Sequence, residues 1–211
     1  MTIHTKSLSA LGCALLLSTT ALAAPVTQTR DVPSFTKIAI NGSIDADITV
    51  GPKRSVAITA DAEDQDRIKT EVRGDTLVIR MKGRFQHSGD MQATIQVPKL
   101  EGIDINGSSD AVIAGIDSED FEININGSGD VSAQGRCDEA EYEINGSGDI
   151  SAFDLVCNDI DVEINGSGDT DVYAEKSIQI SISGSGDVTA KGSPKVKHMR
   201  SSGSGSFQMK D

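Results

Sequence analysis

The stretch Ile125-Asn126-Gly127-Ser128-Gly129-Asp130 decides the fold, because close copies of it recur along the chain. The other copies begin at Ile105, Ile144, Ile164 and Ile182. Successive first glycines of these copies lie 18 to 20 residues apart. A degenerate sixth copy spans 202–206, and an isolated early copy spans 40–45. A repeat of this period is typical of a solenoid, in which each coil buries its apolar side chains against its neighbours.

Apolar and polar residues alternate on both sides of each copy. The run before the motif is long, as in Phe121-x-Ile123-x-Ile125, and the run after it is short, as in Val131-x-Ala133. A period of two predicts a strand with one buried face and one face in water. Because all copies run the same way at a constant offset, we predict an all-β, single-domain parallel β-helix (β-solenoid) with about twenty residues per coil.

The glycines of the motif have a local structural explanation. A sharp corner that recurs in every coil needs a backbone with positive φ, which glycine adopts without steric cost. Asn and Asp side chains can hydrogen-bond within the same turn. We therefore assign a structural turn role to the first glycine of each copy, that is to Gly107, Gly127, Gly146, Gly166 and Gly184.

The repeats divide the single domain, 25–211, into three parts. Regular coils occupy 101–195, an irregular segment occupies 27–100, and a C-terminal cap occupies 196–211. Arg73-Gly74-Asp75-Thr76 predicts a hairpin turn, and 62–66 at most one helical turn. Alternation in the irregular segment predicts six short strands, at 35–40, 44–50, 56–60, 68–72, 77–81 and 91–97. We expect these strands to continue the stack and close its end.

The C-terminal cap departs from the repeat in a way that suits an open end. Alignment with the earlier coils places Val196, His198 and Arg200 at the inward positions, and Ser206 replaces the Asp of the motif. Charged residues at a sheet edge prevent pairing with other sheets. His198 is therefore interpreted as a cap residue and not as a ligand.

Residues 1–24 have the pattern of a signal peptide, with Lys6, an apolar run at 8–17 and the small-x-small sequence Ala21-Leu22-Ala23. The run is too short to span a bilayer. Cys13 invites a lipoprotein interpretation, but most of the apolar run follows this cysteine, which favours simple export. We expect an exported protein of the periplasm or cell surface, without a transmembrane span.

Composition argues against several classes of partner. The chain has 32 acidic and 19 basic residues, a net charge of −13, which disfavours binding to nucleic acid or to anionic lipid. With no Trp, two Tyr and five Phe, it offers few aromatic platforms for sugars. The same scarcity predicts a core of small aliphatic side chains.

Cys137 and Cys157 lie twenty residues apart, at equivalent places in neighbouring coils. Adjacent strands are separated by about 4.8 Å, within the Cα separation of a disulfide. Export to an oxidising compartment favours a structural disulfide over two buried thiols that fill space.

The repeated aspartates are the sharpest candidates for a ligand site, and they are Asp110, Asp130, Asp149, Asp169 and Asp187. Stacked carboxylates repel by about 1 kcal/mol per neighbouring pair in a water-like dielectric. The repulsion would be relieved if the side chains spread into solvent, if they accepted hydrogen bonds from backbone N–H groups, or if a cation bridged them. Turn capping is the preferred interpretation, and calcium, which takes oxygen ligands, is the alternative.

Other columns have simpler explanations. Asn106, Asn126, Asn145 and Asn165 are expected to form an amide ladder. Outward positions of the long run carry acidic or amide residues, which are expected to form a solvated face or, alternatively, a cation-dependent contact surface for a glycan or envelope component. They are Asp104, Asn124, Glu143 and Glu163, with Glu122, Glu141 and Asp161 beside them. Arg73-Gly74-Asp75 matches an integrin-binding tripeptide, but a hairpin turn explains it equally.

At the Ile-Asn-Gly-Ser-Gly-Asp copies, the sequence closely resembles the bacterial head GIN domain family, known as "putative auto-transporter adhesin" heads. The resemblance covers 35–208. It implies an exported, right-handed β-helix in a group of domains of unknown function.

The combined interpretation is an exported, non-enzymatic β-solenoid that serves as a binding or structural module of the bacterial cell envelope. The alternatives are a surface adhesin head that binds a glycan or host ligand, and a β-helix enzyme acting on polysaccharide. A catalytic site is an asymmetric constellation, whereas these aspartates form a regular column.

Overall fold

A computed structural model describes residues 24–83 and 89–210 of the chain. The predicted signal peptide lies outside the described residues except for Ala24, and so does Cys13.

The described residues form strands and turns without a helix. None of them belongs to a helix capable of crossing a bilayer. The strands are β1 Val26–Thr29, β2 Lys37–Gly42, β3 Asp45–Val50, β4 Ser55–Ala60, β5 Ile68–Arg73, β6 Thr76–Met81, β7 Gln92–Val97, β8 Gly102–Gly107, β9 Ala111–Gly127, β10 Val131–Gly146, β11 Ile150–Gly166, β12 Thr170–Gly184, β13 Val188–Gly192, β14 Lys195–Gly203 and β15 Phe207–Met209.

The regular part is a β-solenoid, as predicted, because consecutive long strands stack in parallel along most of their length. The strand β10 pairs in parallel with β9 on one side and β11 on the other. Equivalent residues of the motif face one another, so that Ile144 lies beside Ile164 and Gly146 beside Gly166. Each long strand therefore follows two sides of a coil, first the short run and then the long run of the repeat.

The first coil is built by the early copy of the motif. The strand β2 pairs in parallel with β8, which places Ile40 beside Ile105 and Gly42 beside Gly107. The strand β3 pairs in parallel with the beginning of β9. In sequence, 51–83 and 89–101 lie between these two copies of the motif, and their strands extend the stack at its N-terminal end.

The N-terminal end contains all six predicted strands and the predicted hairpin. The strands β5 and β6 are antiparallel, with Gly74 at φ +65° in the turn. The strand β6 continues one side of the solenoid beside β2, and β7 continues the other side beside β3. One further strand has no counterpart in the prediction: β1 adds antiparallel to β4 as a short, mostly exposed edge.

Residues 62–67 form consecutive hydrogen-bonded turns, within the predicted limit of one helical turn. The turns connect the two sides of the solenoid at its N-terminal end. Gln65 is buried there, and its side chain donates to the Ile58 carbonyl at 2.9 Å and accepts from Arg30 at 2.8 Å. This segment closes the end of the core.

The core consists of columns of aliphatic side chains. Ile125, Ile144 and Ile164 form one such column and are fully buried, as are Ile40, Ile105 and Ile182 at the equivalent positions. Two aromatic side chains, Phe121 and Tyr142, are the largest groups among the fully buried residues. Phe121 pairs with Ala140 in the next coil, so a small residue makes room for a large one.

The corners bring the backbones of successive coils into direct contact. Gly166 has φ +154°, and a Cβ atom built on it would lie 1.9 Å from the Gly146 carbonyl oxygen. The second glycine of the motif is equally confined, since a Cβ on Gly168 would lie 1.9 Å from the Gly148 carbonyl oxygen. Both glycines are therefore required by the close approach of the coils, which agrees with the predicted turn role.

The first full copy has Ser109 where the others have a glycine, and the structure explains this exception. The coil beneath it carries Ile44 in place of the second glycine of the motif. The Ser109 hydroxyl accepts a hydrogen bond from the Ile44 N–H at 2.9 Å and donates to the Gly42 carbonyl at 3.2 Å. Ser109 is fully buried and links the first two coils.

The predicted alignment of the C-terminal cap is wrong beyond Val196. A register shift follows the pairing of Val196 with Ile178. Met199 lies beside Ile180 and Ser201 beside Ile182, whereas His198 and Arg200 lie beside the polar residues of β12. The bulge keeps the two charged side chains on the outer face and puts an apolar residue at the end of the core.

We predict that replacing Gly166 by Ala destabilises the protein by about 4 kcal/mol, because a backbone carbonyl occupies the space of the new methyl group. Gly42→Ala is the matched control, since Gly42 also has a positive φ of +131° but nothing lies within 4 Å of the position that a Cβ atom would take. The free energy of unfolding of the control variant should fall only by the cost of a positive φ at alanine, about 1–2 kcal/mol. Urea unfolding would measure both, and equal losses would contradict the close-contact explanation.

Candidate functional site

The repeated aspartates form a hydrogen-bonded ladder between coils. The Asp130 carboxylate accepts a hydrogen bond from the backbone N–H of Asp149 at 2.9 Å, and the Asp149 carboxylate accepts from Asp169 at 2.7 Å. The same bond joins each neighbouring pair of the predicted column. Asp45 extends the ladder below Asp110 at 3.0 Å, a member that the early copy of the motif could have revealed.

This geometry uses one of the three ways in which stacked carboxylates can avoid repulsion. Each carboxylate faces an N–H dipole of the next coil, and the aspartate side chains are exposed to water. No cluster of three or more potential metal-binding side chains occurs within the described ranges. We therefore propose that the Asp column stabilises the corner, with calcium binding as the alternative to be tested.

The asparagine column forms the expected amide ladder. Asn126 donates to Asn106 at 3.3 Å, Asn145 to Asn126 at 3.2 Å, and Asn165 to Asn145 at 3.2 Å. Together, the two ladders line both sides of the glycine corner with side-chain hydrogen bonds. Both ladders connect coils, so they stabilise the stack.

The structure joins Cys137 and Cys157 by a disulfide, with their Cα atoms 4.6 Å apart. The two cysteines are directly paired residues of β10 and β11. Both are buried, in the segment of the coil between the short and long runs. The bond therefore connects two coils where β10 and β11 are in register, next to a register shift between β11 and β12 that follows Cys157.

Three consecutive coils present a dense array of carboxylates on the outer surface of the long run. We define the acidic face as nine outward positions in three rows. They are Asp120, Glu139 and Asp159; Glu122, Glu141 and Asp161; and Asn124, Glu143 and Glu163. Eight of these nine positions carry a carboxylate. Residues within a row are strand neighbours, about 4.8 Å apart, so like charges lie directly opposite one another.

Two positions at the edge of the acidic face form ion pairs, whereas its centre forms none among the described residues. Lys37 forms an ion pair with Glu122 at 2.7 Å, and Lys197 forms one with Asp159 at 3.3 Å. Glu139 and Glu141 form no ion pair among the described residues, and Asp120 interacts with a cation, Lys99, only at longer range. The centre of the face therefore carries uncompensated negative charge.

The electrostatics of Asp161 reflect this crowding. Partial burial is the main cause that raises the pKa of Asp161, and the charge of Glu163 raises it further against a hydrogen bond from Gln179. A raised pKa in the folded state means that ionised Asp161 opposes folding at neutral pH. That cost disappears as the pH falls through the raised pKa.

Sequence reasoning finds two rows of the acidic face and misses the third. Asp120, Glu139 and Asp159 precede the regular alternation, so the alternation alone leaves them in the variable connection. Their spacing of 19 and 20 residues equals that of the motif glycines, and this signal could have assigned them to a row.

The Arg73-Gly74-Asp75 tripeptide forms the predicted hairpin turn. Its side chains are exposed, but Arg73 is paired with Glu71 at 2.7 Å. The Asp75 carbonyl accepts the backbone N–H groups of Thr36 and Lys37. The turn thus has a structural role in joining the hairpin to the first coil.

Comparison with known families agrees with this architecture. The family described as "Putative auto-transporter adhesin, head GIN domain" matches residues 34–194. The chain belongs to the head GIN domain family. The match includes the acidic face and both ladders of this head GIN domain, and ends before β14. A search of curated proteins found no match.

Solved structures share the fold of this head GIN domain. A putative adhesin from Bacteroides fragilis aligns with a TM-score of 0.73 and 24% identity, covering 88% of this chain and 96% of that one. A putative adhesin from Parabacteroides distasonis aligns with a TM-score of 0.58 and 20% identity, again covering 88% and 96%. At these identities, the similarity establishes the β-solenoid fold.

We predict that Asp149→Ala destabilises the protein by about 1 kcal/mol, because the Asp169 N–H loses its acceptor in an exposed site. Asp149→Asn should cost less, since the amide oxygen still accepts and the repulsion falls. Asp154→Ala, at an exposed acidic residue of the following strand, is the control.

The same proteins would be melted in EDTA and in millimolar calcium. A corner ladder predicts no calcium-dependent change in Tm for any of them. A calcium-specific rise in Tm that Asp149→Asn abolishes would contradict the structural role and establish a cation site.

We predict that reduction of the Cys137–Cys157 disulfide lowers the free energy of unfolding by about 3 kcal/mol, because the bond closes a loop of about twenty residues in the unfolded chain. Urea unfolding with and without a reductant would measure the loss. A Cys137→Ala/Cys157→Ala variant controls for other effects of the reductant, and its stability should not respond to it. An unchanged midpoint on reduction of the native protein would contradict the prediction.

Proposed function

We propose that this protein is an exported, non-enzymatic binding module of the bacterial cell envelope, and that the acidic face is its contact surface. The observation that carries the proposal is the row structure of that face: eight carboxylates on three adjacent strands, with no ion pair to Glu139 or Glu141 at its centre within the described part of the chain. In such an array, neighbouring carboxylates repel one another. A cationic partner would relieve the repulsion on binding.

The rigidity of the solenoid supports a binding role. Backbone hydrogen bonds, two side-chain ladders and a disulfide hold the three rows at fixed positions. A preorganised surface loses little conformational entropy when it binds a partner. The rows extend across three coils, which suits an extended partner better than a small molecule.

The regularity of the site argues against catalysis. Catalytic sites combine different groups in one asymmetric arrangement inside a cleft. Here, the acidic side chains repeat from coil to coil on an outer surface, and none of the aspartates of the ladder is distinguished from the others. The family description, which names adhesin heads, also favours binding.

The proposal can be tested with a charge-neutral variant of the acidic face, Glu139→Gln/Glu141→Gln/Asp161→Asn. Labelled protein would be mixed with purified envelope fragments of the source bacterium, and bound protein would be measured by co-sedimentation. We expect binding to weaken at least tenfold, and binding by the native protein to fall as salt rises. The variant should be at least as stable as the native protein, because repulsion is removed.

Asp47→Asn/Asp154→Asn/Glu175→Gln is the matched control, since it removes the same charge at exposed positions away from the acidic face. Its binding should remain close to native. Equal losses in both variants would reject the acidic face as the contact surface. Depolymerisation of envelope polysaccharide by the native protein would reject the non-enzymatic role.

A further inference from the structure

The last coil leaves one long strand unpaired on its outer side. The strand β14 is nine residues long and pairs only with β12 among the described residues. All nine of its residues are exposed. An edge strand presents a row of free N–H and C=O groups, to which another extended chain can add.

The apolar column of the core ends uncovered beside this edge. Val196 is 45% exposed, Met199 43% and Met209 42%. The first two lie beside the buried Ile178 and Ile180, and Met209 lies beside Ala190. They therefore occupy positions at which the earlier coils bury apolar side chains. The end of the stack therefore offers apolar contacts at alternate positions.

The charge of the last coil is opposite to that of the rest of the chain. Residues 188–210 contain five basic residues and no Asp or Glu. Lys195 and Arg200 lie beside Ser177 and Ser181 of β12, and Lys197 reaches Asp159 of the acidic face. A strand that adds to β14 would meet these cations at its outward positions.

The charges argue against a second copy of this chain as the partner that adds a strand to β14. Two β14 edges would bring lysines and arginines together. The edge at the other end of the stack, β5, carries Lys69 and Arg73 at exposed positions, so head-to-tail stacking would also oppose like charges. An acidic partner is favoured instead.

The corner of the last coil favours a single strand over another complete coil. Ser206 replaces the motif aspartate, and its hydroxyl and N–H both bond back to Asp187 at 2.8 Å. It has no carboxylate to accept the N–H of a following coil. The strand β15 is also short, with three residues.

We propose that β14 is a docking edge for an extended segment of a partner protein in which apolar residues alternate with Asp or Glu. The segment adds to the sheet as the next strand, covers Met199 with its apolar side chains and places its carboxylates beside Lys195, Lys197 and Arg200. This mode of recognition takes affinity from main-chain hydrogen bonds and specificity from alternate side chains. It goes beyond the proposed function and does not depend on the acidic face.

The chain's own sequence supplies a probe with the required alternation. A labelled peptide Glu-Ala-Glu-Tyr-Glu-Ile-Asn-Gly, the sequence of 139–146, would be titrated into protein purified from cells expressing the full chain. Binding would be followed by fluorescence anisotropy and by chemical shifts of the β14 amides. We expect saturable binding at or below millimolar peptide with shifts confined to the last coil. A peptide with Lys in place of each Glu should bind at least tenfold more weakly.

Two protein variants locate the interaction. Lys195→Glu/Lys197→Glu/Arg200→Glu and, separately, Met199→Asp should each weaken peptide binding at least tenfold. These residues are exposed, and thermal melts would check that both variants fold. Lys53→Glu/Arg54→Glu/Lys69→Glu, which reverses three charges at exposed positions elsewhere, should bind as the native protein does.

Three outcomes would overturn the proposal. The first is absence of saturable peptide binding, or binding that all variants retain. The second is binding of phosphatidylglycerol vesicles that depends on the β14 cations, without binding of the peptide, which would identify a membrane surface as the occupant. The third is concentration-dependent dimerisation in sedimentation velocity that Met199→Asp abolishes, which would identify a second copy.

Discussion

The contact between glycines of successive coils is the constraint on which the rest of this structure depends. At each corner, the carbonyl oxygen of one coil occupies the space that a side chain would need in the next. The contact fixes the height and register of the coils together. Once the glycines are aligned, the isoleucines stack, the amide and carboxylate ladders form, and Cys137 comes opposite Cys157. The acidic face is also a consequence of this register, because its rows are the outward positions of the same strands.

The fold could be predicted because its information is local and repeated. Alternation around each glycine motif identifies the strands and their buried faces, and the constant offset identifies parallel stacking. The early copy at 40–45 has the same motif as the regular coils, which indicates that it belongs to the stack, although 65 residues separate it from the copy beside it. The short strand β1 could not be predicted in this way, because its four mostly exposed residues carry no apolar alternation.

The candidate site was less accessible to sequence reasoning, for physical reasons. The repeated aspartates could be recognised, but their hydrogen bonds to the next coil depend on how the corner places a carboxylate relative to one N–H group. The bulge after Val196 also has no sequence signal, because the motif has decayed there. The net charge of −13 conceals a basic last coil, and the importance of that coil becomes evident only when β14 is known to be an edge.

The upper and lower surfaces of an internal coil are equivalent in shape and chemistry. Duplication of about twenty residues within the gene would therefore insert one more coil without disturbing either end of the stack, since each coil contacts only its neighbours. Such an insertion would lengthen each of the three rows of the acidic face by one outward residue, while the N-terminal closure and the basic last coil stay the same. The length of the molecule and the area of its charged surface can thus change in whole steps during evolution, independently of the chemistry at its two ends.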